Sequence, residues 1–171
     1  DNKNKKFIDE YLRKYKNVWH QGDYAKTTKK NGFIIYGRSD ATLNSGGIRI
    51  GTAELYRVVE NINNINECLA VEYKNKNDTD IIMFIKINKG CVYNKNIENR
   101  IKKQIKLLLS PKHVPKKIFK VNDIPKTKSG KTVEITIKKL INKQDIENLS
   151  SLINPECLSE YKSIANELNN D

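Results

Sequence analysis

Lys131, which follows a glycine, is the residue of this sequence whose type and position most suggest catalysis. It ends the run PKTKSGK (125–131), whose proline, serine and glycine predict a loop with an ammonium group at its tip. A cation there can stabilise negative charge that develops on a carboxylate and a phosphate at once. The run is not a Walker-type phosphate loop, because no Gly-x-x-x-x-Gly precedes the lysine. Taken alone, it is explained more simply as a solvated basic loop.

A second segment, residues 37–54, combines charged positions with flexible ones. Arg38 and Asp40 follow a predicted strand, and the Ser-Asp pair that includes Asp40 favours turns whose dihedrals change at low cost. Gly47, in a Gly-Gly pair, lets a ligand approach the backbone closely. The guanidinium of Arg49 can bind a phosphate through two hydrogen bonds. The alternative for Arg38 and Asp40 is an exposed ion pair worth about 0–1 kcal/mol.

Three further polar residues, Asp23, His20 and His113, are of types that can bind ligands. Asp23 follows Gly22 at a predicted turn, where a carboxylate could accept hydrogen bonds from the two hydroxyls of a ribose. The alternative is that Asp23 only caps the turn. His20 and His113 have no second ligand at a metal-binding spacing, so the sequence predicts no metal site.

The elements that must position these residues predict an α+β fold, a small mixed sheet with helices packed on it. Period-2 and period-3.6 patterns of apolar residues separate the strands from the helices. Thr52 is the predicted N-cap of one helix, and a strand is predicted to break at Gly37. The predicted strands cover 33–36, 67–73, 81–87 and 117–121, and the predicted helices cover 7–15, 53–61, 97–109, 132–142 and 155–168.

Composition limits the possible classes of protein. The 171 residues carry 32 Lys+Arg against 20 Asp+Glu, a net charge of +12, which favours anionic partners such as nucleotides, CoA or nucleic acid. A basic nucleic-acid-binding module is therefore the alternative function, although the lysines are scattered and the tyrosines form no stacking row. Three separated cysteines without a Cys-x-x-Cys pair predict reduced thiols in a cytoplasmic compartment. No apolar run is long enough for a membrane span.

The two segments together, and their flanks, resemble the acyl-CoA synthetases, which are adenylate-forming ligases. Within that family the spelling is closest to the acetoacetyl-CoA synthetase branch. The likeness runs from about residue 11 to residue 164. It is carried by WHQGD (19–23), GRSDATLN (37–44), GGIRIGTAELY (46–56), SPKHVP (110–115), DIPKTKSGKTVE (123–134) and NPECLSEY (154–161).

The resemblance implies roles for individual residues. Lys131 would be the catalytic lysine of adenylation, Asp23 would bind the ATP ribose, and Arg38 would lie near the ribose at a domain boundary. Asp40 would be the hinge about which a lid domain rotates.

Other implied roles concern the CoA thioester step. Gly47 would line the pantetheine path, and Arg49 would face the adenylate phosphate. Lys102 would meet the CoA 3′-phosphate, with a solvated helix face as the alternative. Ser45 stands where the family usually has a proline, and this departure should only loosen the turn.

The resemblance also implies a domain plan and a reaction. Residues 1–37 would end a large N-terminal adenylation domain, residues 38–142 would form the C-terminal lid, and residues 143–171 a helical extension. The whole enzyme would convert ATP, acetoacetate and CoA to acetoacetyl-CoA, AMP and pyrophosphate, with Mg²⁺ held through the N-terminal domain. The chain alone is expected to be an inactive piece of that enzyme. Its expected partners are its own N-terminal domain and a small acid substrate, and neither a specific nucleic acid nor a membrane.

Overall fold

The computed structural model describes residues 4–75, 78–146 and 149–170, which form five α-helices and seven β-strands. In chain order the elements are α1 (Lys5–Tyr11), β1 (Asp23–Thr27), β2 (Phe33–Arg38), β3 (Leu43–Ser45), β4 (Ile48–Ile50), α2 (Thr52–Val59), β5 (Ile65–Lys74), β6 (Thr79–Ile87), α3 (Lys95–Leu108), β7 (Lys117–Lys120), α4 (Glu134–Ile141) and α5 (Leu158–Asn170).

A three-stranded mixed sheet, ordered β5-β6-β7, lies at the centre of this fold. β5 and β6 are antiparallel, and β7 runs parallel to β6. Their middle residues are buried without alternation because helices cover both faces of the sheet. The prediction of an α+β fold with a small mixed sheet is therefore confirmed, and so are the three strands of this sheet.

Each face of the sheet carries its own apolar core, since neighbouring side chains of a strand point to opposite faces. One core joins alternate residues of β5 and β6, such as Leu69 and Phe84, to α4 and α5. The other joins the remaining positions, such as Met83, to α2 and α3 through Leu55 and Ile105. The central sheet is thus held between two helical layers.

The outer edge of β5 is covered by side chains rather than by another strand. The hydroxyl of Tyr56 accepts a hydrogen bond from the Ala70 N–H (3.2 Å), and a Glu60 carboxylate oxygen accepts one from the Cys68 N–H (3.4 Å). Asn142 accepts from the Lys74 N–H (2.8 Å) and donates to the Glu72 carbonyl (2.8 Å). These bonds satisfy an edge that would otherwise be open to another strand.

Two small hairpins precede this core, and the sequence predicted them poorly. β2 does not break at Gly37 but continues to Arg38, because Gly37 adopts a φ of +124° that a glycine tolerates. β1, β3 and β4 were not predicted, since they are short and have few buried residues. The observed first helix, α1, is also shorter than the predicted range 7–15.

The prediction that Thr52 caps a helix is wrong. α2 begins at Thr52 itself, Gly51 occupies the N-cap position, and no side chain caps the helix. Thr52 is 3% exposed, and its hydroxyl is hydrogen-bonded to Glu134 instead. A side chain at position 51 would collide with the Tyr36 carbonyl, so the chain needs glycine where a polar cap would normally stand.

The C-terminal segment is part of the core. The predicted last helix begins as a single 3₁₀ turn at Pro155–Cys157 and continues as α5, which packs on α4. Tyr161 of α5 is fully buried, and its ring centroid lies 4.7 Å from that of Phe84. Its hydroxyl donates a hydrogen bond to the Asp123 carbonyl (3.0 Å). The sequence pattern of residues 142–152 is typical of a linker, and residues 147 and 148 of this stretch lie outside the described residues.

Tyr161 provides a test of this packing. Tyr161→Ala should lower the free energy of unfolding by about 3–5 kcal/mol because it leaves a cavity beside Phe84. Tyr161→Phe keeps the ring and loses only the hydrogen bond to Asp123, so it should cost about 1 kcal/mol. Phe33→Ala, at a side chain that is 73% exposed, is the control and should change stability by less than about 0.5 kcal/mol. Urea denaturation of the chain measures all three, and equal costs for Tyr161→Ala and Phe33→Ala would contradict the assignment.

Candidate functional site

Arg38 at the end of β2 pairs with Asp40, the residue predicted as a hinge. The Arg38 guanidinium donates to both carboxylate oxygens of Asp40, each at 3.3 Å, and to the Gln21 carbonyl at 2.9 Å. The Ser39 N–H donates to the Gly22 carbonyl (2.7 Å). Both charged side chains are about half exposed, so water screens the ion pair and its contribution to stability is small.

Two open clefts meet at Asp40 and Arg49, which line both of them. One, of about 360 Å³, is lined by Ser39, Asp40, Gly47 and Arg49 on one side and by β5 and α4 on the other. The second, of about 480 Å³, is lined by Arg38, Asp40 and Arg49 together with residues of α1 and the segment after it. The structure therefore brings together Arg38, Asp40, Gly47 and Arg49, which the sequence offered as separate candidates.

The Gly-Gly pair forms the turn between β3 and β4. Gly46 and Gly47 have φ values of +55° and +82°. Two positive φ values are what a type I′ turn, a common two-residue hairpin turn, requires. The Cβ position of Gly47 faces open space, whereas that of Gly46 faces the Lys112 ammonium at 2.8 Å. Gly47 thus leaves its backbone open to a ligand, and Arg49 is exposed two residues later in β4.

Asp23 lies beside this group, at the beginning of β1. It is exposed and pairs in register with Arg38 across the β1–β2 hairpin. Asp23 is therefore at the same end of the hairpin as Arg38. It lines neither of the two clefts at Asp40.

Lys131 stands on a turn that is closed by its own hydrogen bonds. The Thr127 N–H donates to the Lys131 carbonyl (2.8 Å), and the Lys131 N–H donates to the Thr127 hydroxyl (3.1 Å). Gly130 has a φ of +78° and donates its N–H to the Thr127 carbonyl (2.8 Å). The Lys131 side chain is exposed, and neither cleft at Asp40 is lined by it. The loop predicted as flexible is thus a structured turn.

Lys102 lies in the middle of α3. Its ammonium contacts Glu98 at 2.8 Å and donates to the Lys116 carbonyl at 3.4 Å. Glu98 also contacts Lys95, and these two lysines hold the pKa of the Glu98 carboxyl below its usual range. A phosphate at Lys102 would therefore compete with Glu98 for the ammonium group.

Sequence reasoning missed a polar contact that joins the two predicted segments. The Tyr56 hydroxyl of α2 donates to a carboxylate oxygen of Glu134 at the start of α4 (3.1 Å). Burial, and then the nearby charge of Asp40, raise the pKa of Glu134. Burial and the Glu134 charge raise the pKa of Tyr56 well above its usual value. The only signal in the sequence was a glutamate three residues after Lys131, which also fits the exposed first turn of a helix.

The described residues contain neither the pattern of a metal site nor that of a membrane span. Within the part of the chain that it describes, no three His, Cys, Asp or Glu side chains are grouped to hold a metal ion. No helix among the described residues has the length and apolar character of a membrane span. His113 accepts or donates a hydrogen bond with the Ser110 hydroxyl (2.8 Å), and burial lowers its pKa.

Comparison with known proteins gives similarity over nearly the whole chain. No protein-family model matches it. An acetoacetyl-coenzyme A synthetase of Rhizobium meliloti is 39% identical over 159 residues, covering 93% of this chain and 24% of that protein. An acetoacetyl-CoA synthetase of Caenorhabditis elegans is 38% identical over 164 residues, 94% of this chain and 23% of that protein.

A solved structure is also similar. The acetoacetyl-CoA synthetase from Streptomyces lividans matches with a TM-score of 0.87 and 30% identity, over 98% of this chain and 25% of that chain. The chain therefore spans about a quarter of the length of the relatives that it matches. These similarities do not favour the alternative of a nucleic-acid-binding or non-catalytic module.

Glu134 gives a prediction about pH. Its folded pKa is raised above the usual value of about 4.3. The stability that protonated Glu134 contributes is therefore complete below that usual value, and is lost as pH rises through the higher folded value. Glu134→Gln cannot titrate and keeps an acceptor for Tyr56. Its free energy of unfolding should thus increase relative to the unaltered chain between pH 4 and pH 7.

Urea denaturation at several pH values measures this difference. Glu167→Gln removes the same charge at an exposed position of α5, and is the matched control whose difference should stay flat. A flat difference for Glu134→Gln as well would show that burial does not control this carboxyl group.

Proposed function

Because the chain belongs to the acyl-CoA synthetase family of adenylate-forming ligases, we propose that it is the C-terminal part of an ATP-dependent acyl-CoA ligase. The observation that carries this proposal is the continuous similarity to acetoacetyl-CoA synthetases over more than nine-tenths of the chain. The proposed substrate is accordingly acetoacetate, and the proposed products are acetoacetyl-CoA, AMP and pyrophosphate.

Lys131 is the proposed catalytic residue of the first half-reaction. A carboxylate oxygen of the acid attacks the α-phosphorus of ATP, and the bond to pyrophosphate breaks. Both reactants are anionic, so a cation between them stabilises the charge that develops in the transition state. The exposed ammonium of Lys131 on a closed turn suits this role, since the turn limits the positions that the side chain can occupy.

The second half-reaction is assigned to the cluster at Asp40. The CoA sulfur attacks the acyl carbon, AMP leaves, and the thiol proton is released. Gly47 leaves the turn open for the pantetheine arm, and Arg49 is exposed nearby to bind the adenylate phosphate. Asp23 and Arg38, which pair at the end of the β1–β2 hairpin, are the proposed contacts to the ATP ribose. Lys102 is the proposed contact to the CoA 3′-phosphate.

Asp40 is the proposed hinge between the two states. The turn and hairpin that carry Gly47 lead into α2 on one face of the central sheet, whereas the Lys131 turn leads into α4 on the other face. A rotation of one rigid body about Asp40 would therefore exchange the two surfaces at a common substrate site. The Arg38–Asp40 pair is half exposed and weak, so breaking it would oppose the rotation little.

The remaining parts of the site belong to the rest of the proposed enzyme. Residues 1–37 are the proposed end of the large domain, residues 38–142 the lid, and residues 143–171 an extension. The acyl pocket and the phosphate loop would lie in the large domain, and Mg²⁺ would bind there with ATP.

Lys131→Ala in the full-length protein tests the catalytic assignment. Pyrophosphate exchange with acetoacetate should fall by at least about 100-fold, because the transition state loses its positioned cation. Thioester formation from supplied acyl-adenylate should change by less than about threefold, since Lys131 then lies away from the reacting atoms. Lys128→Ala removes a lysine from the same loop and should leave both half-reactions near normal. Equal small losses in both half-reactions of Lys131→Ala would overturn the assignment.

The 171-residue chain by itself should neither release pyrophosphate nor bind ATP tightly. It supplies one wall of the proposed site, and a ligand held on one wall lacks most of the contacts that give affinity. Isothermal titration with MgATP and a pyrophosphate-release assay measure this. Turnover by the purified chain would contradict the proposed division between domains.

A further inference from the structure

The C-terminal segment, residues 149–170, contacts the Lys131 turn as well as the core. Residues 125–128 form the stem of that turn, which is the strand-like stretch that leads into it. The stem pairs on one side with Thr132, through a bridge from Lys126. On its other side it pairs with residues 151–153, as described next.

Backbone pairing makes residues 151–153 a short extra strand beside the stem. The Ile153 N–H donates to the Lys126 carbonyl (2.9 Å), and the Lys128 N–H donates to the Ser151 carbonyl (3.1 Å). Between them, Thr127 and Leu152 form an antiparallel bridge, and Leu152 is buried in the core. The last of these bonds, at Lys128, lies three residues before Lys131.

Asn154 adds a side-chain clamp directly after this pairing. Its amide oxygen accepts from the Lys126 N–H (3.0 Å), and its amide nitrogen donates to the Ile124 carbonyl (3.0 Å) and to an Asp123 carboxylate oxygen (2.6 Å). The residue is 9% exposed. All three partners belong to the chain that enters the Lys131 turn, and none belongs to α5.

Two ion pairs join the clamp and the stem to the central sheet. The other oxygen of Asp123 contacts the Lys86 ammonium on β6 (2.6 Å), and the Lys126 ammonium contacts Glu67 on β5 (2.7 Å). Partial burial alone would raise the pKa of Asp123, but the hydrogen bonds from Lys86 and Asn154 outweigh it and hold that pKa below its usual range. The stem is thus fixed to the sheet on one side and to the C-terminal segment on the other.

We propose that the C-terminal segment holds the Lys131 turn in the position needed for adenylation, and that Asn154 is the positioning residue that transmits this hold. The proposal rests on the proposed function of Lys131. Packing alone does not explain Asn154, because an apolar side chain of similar volume would leave the Lys126 N–H and the Ile124 carbonyl without a hydrogen-bond partner. Its buried bonds instead fix backbone atoms of the stem, and a buried polar network that is fully satisfied defines one geometry.

The displacement needed for an effect is small. A shift of about 1 Å in a catalytic group can cost about 100-fold in rate. Loss of Asn154 leaves the Lys126 N–H, the Ile124 carbonyl and one Asp123 oxygen without their buried partner, so the stem would relax towards water. Lys131 would then move with the stem, whereas Gly47 and Arg49, whose hairpin leads into α2 on the other face of the sheet, would keep their positions.

Asn154→Ala in the full-length protein is the first test. Pyrophosphate exchange should fall by about 10- to 100-fold, while thioester formation from supplied acyl-adenylate should stay within about twofold. Asn169→Ala is the matched control. It removes an asparagine of the same segment that donates to the Ile141 and Ala165 carbonyls and accepts from the Tyr73 hydroxyl (3.4 Å). None of these partners belongs to the stem, so both half-reactions should remain near normal.

Backbone hydrogen exchange supplies a readout that does not depend on activity. In Asn154→Ala the amides of Lys126 and Lys128 should exchange about tenfold faster or more, while those in the middle of β5 and β6 should be unchanged. Faster exchange in β5 and β6 as well would mean that the variant loosens the whole core, and would overturn a specific positioning role.

A second pair of variants applies if Asn154→Ala does not fold. Ile153→Pro removes the N–H that donates to the Lys126 carbonyl and fixes φ at this position, whereas Ile153→Ala keeps the N–H. The Ile153 side chain is 65% exposed, so both variants remove little buried apolar surface. Ile153→Pro should lower pyrophosphate exchange selectively, and Ile153→Ala should not.

Lys131→Ala, measured beside these variants, separates the two proposals. If Lys131→Ala selectively abolishes pyrophosphate exchange but Asn154→Ala and Ile153→Pro do not lower it, the positioning role is wrong and the proposed function stands. If Lys131→Ala has no selective effect, the proposed function itself fails. Selective losses in all three support both.

Discussion

Burial of β5 and β6 on both faces is the constraint on which the rest of the structure depends. A sheet covered on two sides needs apolar residues at consecutive positions, and it needs helices on each face to complete two cores. α2 and α3 complete one, and α4 and α5 complete the other. The edge of β5 is closed by side chains of Tyr56, Glu60 and Asn142, which tie the helical layers to the same strand.

This two-sided arrangement explains how one small domain can carry two candidate sites. The hinge and the Gly-Gly turn enter α2 on one face, and the Lys131 turn enters α4 on the other. Both are short turns with glycines at positive φ, and each leads into a helix that buries apolar residues in a core, such as Leu55 in α2 and Ile137 in α4. Under the proposed function, a rotation about Asp40 would therefore move both turns together as one rigid body.

Polar contacts, rather than apolar packing, define the detailed geometry near both sites. The Asp123–Asn154–Lys86 network fixes the stem of the Lys131 turn, and the Tyr56–Glu134 bond joins α2 to α4. Each contact is partly or fully buried, and a buried polar group that loses its hydrogen-bond partner costs free energy. Such networks contribute specificity of geometry more than net stability, which suits groups that must be placed accurately beside a reacting phosphate.

The sequence by itself determined the elements with strong local periodicity and the identity of the candidate residues. The three strands of the central sheet and the helices on it follow from apolar spacing, and Asp40, Gly47, Arg49 and Lys131 stand out by motif and by family likeness. Only the tertiary structure decided that Asp40, Gly47 and Arg49 line one cleft while Lys131 stands on a separate turn. The short hairpins carry too few buried residues to leave a pattern, and Gly51 replaces a polar cap because the Tyr36 carbonyl lies against it. The clamp by Asn154 joins positions about 30 residues apart, and such long-range polar contacts leave no periodic signal because they depend on how the cores pack.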